Sequence, residues 1–156
     1  MCAFSKKGVG AIVPPPIDSA IDNILVQRLI KCYDPYHPLG IGKKQFAANG
    51  KRKPRAKFVP EDERDNKLAQ DPSWHYGRIA HFVNQIRKGK RLDQIEVDMM
   101  WHGHKCTGIV VLDGHHRLCA ADIVGIERIP ASISGAVRII EWLVGKHDNA
   151  PEFSKL

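Results

Sequence analysis

The sequence has no apolar run near the roughly 20 residues that span a bilayer, no Cys-x-x-Cys pair and no internal repeat. The first absence excludes a transmembrane helix. Met1 to Gly10 carry Lys6 and Lys7 but lack the apolar centre of a secretory signal, so a cytoplasmic chain is expected. Cys2, Cys32, Cys106 and Cys119 are then expected as reduced thiols rather than a disulfide framework. Acids are also in short supply: 17 against 24 bases, a net charge of +7. That surplus favours anionic partners such as nucleic acid, nucleotide or phosphate, without choosing among them. What remains is ordinary for a folded protein, with 43% hydrophobic and 26% charged residues. A chain of 156 residues is enough for one domain with its own core.

The N-terminal part is irregular. Pro14-Pro15-Pro16 favours an extended arm over residues 1–16. A single domain is expected over 17–150, with a short tail at 151–156. Residues 17–33 support two readings. Ile17, Ile21, Ile24, Leu25 and Leu29 form a helical stripe, while the apolar run from Ile24 to Tyr33 also suits a strand. A basic insertion follows at about 43–65. Residues 43–57 hold seven bases and no acid, and Glu61-Asp62-Glu63-Arg64-Asp65 then reverses the sign. Such a loop is a solvated surface segment partly neutralised by its own acids, or a contact for a phosphate backbone. DNA is therefore a candidate partner, not the expected one.

Periodic structure begins near residue 72. Asp71-Pro72-Ser73 reads as a helix start with Ser73 as N-cap. Ile79, Phe82, Val83 and Ile86 share one helical face, and Arg87, Lys88 and Gly89 suit its end. Ile95, Val97 and Met99 alternate with Glu96 and Asp98, as in a half-buried strand. His102-Gly103-His104 suits a hairpin turn, and Gly108 to Leu112 reads as a buried strand. A short helix over 115–124 closes at Gly125. Ile129 to Ile133 reads as a strand, with Pro130 near its start or at an edge. Val137, Ile139, Ile140, Leu143 and Val144 suggest a last helix, with Trp142 in the core.

The segment with chemistry is Val110-Val111-Leu112-Asp113-Gly114-His115-His116-Arg117-Leu118. A strand ends in Asp-Gly and turns directly into a helix. Helix N-termini present unpaired N–H groups and a positive dipole end, which suits an anion. Gly114 lets a ligand approach the backbone, and Arg117 offers a fork for phosphate oxygens. Three basic side chains in a first turn oppose the dipole, and an anionic ligand removes that conflict. Asp113 is placed to hold Mg²⁺ or to orient a nucleophile. His116 is the candidate acid or base, and Gly114, His115, His116 and Arg117 the candidate phosphate cradle. A zinc site from His102, His104, Cys106, His115 and His116 competes, but their spacing matches no standard ligand pattern. Trp74 and Cys119 are expected to pack.

The region from about Trp74 to Gly135 resembles the ParB/sulfiredoxin-like superfamily. The likeness rests on a helix ending in Arg-Lys-Gly, the strand Gln94 to Val97, the Asp113-Gly114-His115-His116-Arg117 turn, and Gly125-Ile126-Glu127-Arg128-Ile129-Pro130. It is nearest the Asp-Gly-His-His-Arg branch that includes free serine kinases. The resemblance implies an α/β fold, a small mixed sheet with flanking helices, and nucleotide-phosphate binding at Gly114 to Arg117. It points to ATP or CTP, as di- or triphosphate, with Mg²⁺. His115 stands where sulfiredoxins carry their catalytic cysteine, which points away from sulfinic-acid reduction. Partitioning ParB proteins have Glu-Arg-Arg in place of His115-His116-Arg117 and continue into DNA-binding and dimerisation domains, which are not expected here. Tyr76 stands where the serine-kinase branch has a catalytic Glu. The resulting expectation is a nucleotide-dependent enzyme of phosphoryl transfer or phosphate hydrolysis, acting on a small-molecule or nucleic-acid phosphate. The alternatives are a ParB-like nuclease or nucleic-acid binder, and a catalytically silent, nucleotide-regulated adaptor.

Overall fold

The computed structural model describes residues 17–43 and 72–153. The N-terminal arm, the basic insertion beyond Lys43, the acidic run after it and the last three residues lie outside them. The order of elements is β1 (Ile17–Leu25), α1 (Val26–Cys32), a single 3-10 turn (His37–Leu39), α2 (Pro72–Arg87), β2 (Ile95–His102), β3 (Lys105–Asp113), α3 (His115–Val124), β4 (Arg128–Ala136) and α4 (Val137–Val144). The four strands form one sheet in the order β1-β4-β2-β3. β2 runs parallel to β4, and the other two pairings are antiparallel. The fold is thus α/β, a small mixed sheet with flanking helices. No helix among the described residues is long and apolar enough to cross a membrane.

One face of the sheet makes the main core. Ile24, Ile95, Val97, Ile109, Val111, Ile129 and Ile133 are buried there against Leu118 of α3, Leu29 of α1 and Ile139 and Leu143 of α4. A second apolar layer lies outside it, where Ile79 and Val83 of α2 meet Cys119 and Ala120 of α3, with Tyr36 and Ile41. The stripe read on α2 is therefore the face that docks it on α3. Trp142 is buried in the main core, as expected, and Trp74 is buried as well. Burial pushes the Cys119 thiol well up, which keeps it protonated and unreactive.

Three sequence expectations change. Residues 17–33 are neither all helix nor all strand: the chain leaves β1 at Leu25, in extended geometry, and coils at once into α1. The Val26 N–H donates to the Glu127 carbonyl at 3.0 Å, so a tertiary bond fixes the boundary. Pro72, not Ser73, opens α2, which places Ser73 inside the first turn. Proline suits that position because its missing N–H would lack a helical acceptor anyway. β3 is buried on one face alone, the face turned to the main core, and Leu112 is 58% exposed. Pro130 lies near the start of β4, as expected: it faces β1 on one side, and the pairing of β4 with β2 begins only at Ala131.

Behind α3, Asp122 is buried and holds three partners. The Tyr36 hydroxyl donates to it at 2.9 Å and the Gln27 amide at 3.2 Å, while the Lys43 ammonium lies at 2.7 Å. The first residue of the basic run is thus paired with α3. A buried carboxylate needs such partners, and this set ties α1, the 3-10 turn and Lys43 to the helix that carries the His-His-Arg turn.

Candidate functional site

The site is organised by one glycine. β3 ends at Asp113, Gly114 takes φ 95° and ψ 21°, and α3 starts at His115. A Cβ at Gly114 would lie 2.4 Å from Ile95 Cγ2, so β2 presses on the turn from below. The first helical bond runs from the Leu118 N–H to the Gly114 carbonyl. The N–H groups of His115, His116 and Arg117 precede it and so have no partner within the helix. α3 has no side-chain cap and no acid in its first turn. Those donors therefore face the turn with the positive end of the helix dipole behind them.

The two histidines diverge from the turn. His115 Nε2 shares a hydrogen bond of 2.7 Å with the Tyr33 hydroxyl, at the end of α1. Burial lowers the His115 pKa, partly offset by Asp113, so the ring is neutral at pH 7. Burial, with Asp34 and Cys119 adding, raises that of the Tyr33 phenol, which keeps its proton. His116 turns the other way. Its Nε2 is 2.9 Å from His75 Nδ1 on α2, with the two rings stacked at 21°. Trp74 stands edge-on to both rings.

Around this turn is an open cleft of about 260 Å³, lined by Trp74, His75, Arg78 and Phe82 of α2 and by Leu112 to Arg117. Every sequence-predicted site residue, Asp113, Gly114, His115, His116 and Arg117, lines it. The cleft is smaller than the usual range for a whole small ligand, about 300–1,000 Å³, so it suits a phosphate group with the rest of the molecule outside. Arg117 Nη2 lies 2.7 Å from Asp113 Oδ2, one helical turn apart. The fork expected to grip phosphate thus rests on the Asp113 carboxylate. Arg78, 5% exposed, lies over the rings of Trp74 and Phe82.

Tyr33, His75 and Arg78 were not among the sequence candidates. Tyr33 and His75 gave no local signal, since they meet the turn across 82 and 41 residues. Arg78 did leave one: Trp74, Arg78 and Phe82 recur every four residues, which places a cation inside an apolar helical stripe. Tyr76 is half-buried against the outer apolar layer instead of lining the cleft. The alternative zinc set is not brought together. His102 and His104 flank the turn at the far end of β3, roughly 30 Å from Gly114 for nine residues of strand. Among the described residues no group of three or more His, Cys, Asp or Glu is placed to hold a metal ion. For Mg²⁺ the donors fit one arrangement. Asp113, the one carboxylate of the cleft lining, would supply a ligand, and Mg²⁺ would take its others from phosphates and water. When bound, the ion would neutralise charge on those phosphates.

The neutral, buried His115 has a consequence for stability. Its folded pKa lies below the ordinary 6.5, so the unfolded chain takes the proton first as pH falls. The contribution is complete above about pH 6.5 and is lost as pH drops through the folded value. His81, lowered by burial and by Arg78, Lys90 and Lys88, acts in the same direction. Denaturant midpoints at pH 7.5 and 5.5 should therefore separate less in His115→Gln, whose amide nitrogen replaces Nε2, than in the wild type.

The chain matches no protein-family model, no curated protein and no solved structure.

Proposed function

We propose that the cleft binds the phosphates of a nucleotide and that the protein catalyses phosphoryl transfer or phosphate hydrolysis there, as a ParB/sulfiredoxin-like enzyme. One observation carries the reading. An uncapped helix N-terminus, two arginines and three histidines converge on a small cleft whose lining has a single carboxylate, Asp113. Such chemistry depends chiefly on positioning and on neutralising the charge of the transferred group. The N–H groups of His115 to Arg117 hold phosphate oxygens, while Arg117 and Arg78 neutralise them. His115, kept neutral and oriented by Tyr33, donates a hydrogen bond without adding charge. His116 takes the proton of the attacking hydroxyl or water. Calorimetry with ATP, CTP and pyrophosphate, with and without Mg²⁺, tests the binding. Saturation of the site should raise the melting temperature by several degrees, since a ligand at 100 times its Kd adds about 2.7 kcal/mol. No heat and no thermal shift with any of them would remove the proposal.

The Arg117–Asp113 pair makes Asp113→Asn informative, because affinity and turnover should move in opposite directions. A phosphate must compete with Asp113 for the guanidinium, and an exposed pair is worth about 0.2–1 kcal/mol. Asp113→Asn is expected to bind pyrophosphate up to about fivefold more tightly. If Asp113 orients the nucleophile or holds Mg²⁺, the same variant loses at least about tenfold in labelled-phosphate release. Tyr76 favours one second reading, a nucleotide-regulated adaptor, since its half-buried ring supplies no carboxylate. Nucleotide binding without release or transfer by the wild type would select it.

A further inference from the structure

The His75–His116 contact is unlike the Tyr33–His115 contact, because both of its partners are imidazoles. At 2.9 Å the two nitrogens hold one proton between them, one donating and the other accepting. The neutral pair has two protons on four nitrogens. A third proton on an outer nitrogen would leave that bond intact and make it join an imidazolium to an imidazole. Charge-assisted bonds of that kind are roughly twice as strong as neutral ones. A fourth proton would set N–H against N–H and break the contact. His75 is buried at 6% exposure. Burial alone disfavours the cationic form, and the strengthened bond offsets that cost.

We propose that His75 is a positioning residue that makes His116 the general base of the site, the two rings taking up one proton as a unit. This rests on the reading of the cleft as a phosphate site. In the step, the O–H bond of the attacking hydroxyl or water breaks and its proton goes to the pair. The freed electron pair forms the bond to phosphorus, and the P–O bond to the leaving oxygen breaks with its electrons. The leaving oxygen, or solvent, then takes the proton back. Among the described residues, the charged groups of the cleft lining work in both directions. Arg78 on α2 and Arg117 on α3 oppose protonation, whereas Asp113 at the end of β3 and a bound anion favour it. His115 is held by Tyr33, which caps α1, on the other side of the turn.

The test is an NMR titration of the histidine rings in the full-length protein between pH 5 and 8, alone and with sulfate, whose charge is constant in that range. In the wild type, both rings should respond at one shared midpoint, and sulfate should raise it by about half a pH unit. His75→Phe should lower the His116 midpoint, and His75→Asn, whose amide replaces Nδ1, should restore part of it. Unrelated midpoints for the two wild-type rings, or an unchanged His116 midpoint in His75→Phe, would overturn the pairing. Sulfate-dependent shifts at Gly114 to Arg117 without any movement of the midpoint would overturn the link between proton and anion alone. No shift at those residues would remove the phosphate reading and, with it, the catalytic role of the pair.

Discussion

Arg117→Ala is expected to weaken pyrophosphate binding about a hundredfold while the protein stays folded. A bidentate guanidinium makes two charge-assisted hydrogen bonds to a phosphate, worth about 1.5 kcal/mol each at the low end, and about 1.4 kcal/mol is a factor of ten. The fold should tolerate the change because Arg117 makes its ion pair with an Asp113 side chain that is 64% exposed. Its loss returns Asp113 to water at little cost. Arg78 is a less decisive target for the same question, since it also packs on Trp74 and Phe82 and its removal empties space under α2. Calorimetry decides the effect on binding, and circular dichroism decides whether the fold survives. An unchanged affinity would show that Arg117 does not hold the phosphate and that the turn is not its site.

Elements with one clear period were legible. The α2 stripe, the alternation of β2 and the Gly125 stop of α3 follow from local rules of burial and capping. The split of residues 17–33 was not legible, and the residues show why. β1 is an edge strand along which Ile21 is 77% exposed and Ile24 buried, so it lacks the alternation of a half-buried strand. Its end is set by the bond from Val26 to Glu127, about a hundred residues away in sequence. The same division runs through the site. The Asp-Gly-His-His-Arg turn is contiguous and could be read directly. Its partners Tyr33, His75 and Arg78 arrive on α1 and α2, and only the packing of those helices against α3 brings them to it.

Gly114→Ala is expected to be the most damaging single change in the turn, and it separates two costs that glycines usually combine. Gly125 has φ 81° with nothing within 4 Å of a new Cβ, so Gly125→Ala meets backbone strain alone, on the order of 1 kcal/mol. Gly114 has φ 95°, and its new Cβ would also lie 2.4 Å from Ile95 Cγ2, 2.8 Å from Ile95 Cβ and 3.2 Å from Ile95 Cα. Ile95 is fully buried, and its Cα belongs to β2 where that strand pairs with β4. Neither side can yield by a simple rotamer change, so strain and overpacking add to about 3 kcal/mol or more. For a chain of this size that is a fall in melting temperature of roughly 10 °C, against about 3 °C for Gly125→Ala. If the turn yields instead, the first N–H groups of α3 move away from the cleft and phosphate binding is lost with less loss of stability. Melting curves and pyrophosphate calorimetry on both variants distinguish these outcomes. Equal, small effects at the two glycines would mean that β2 does not hold the turn in place. The close fit of Ile95 under Gly114 ties the sheet to the site: the central strand that carries the core also fixes the height at which the helix presents its donors.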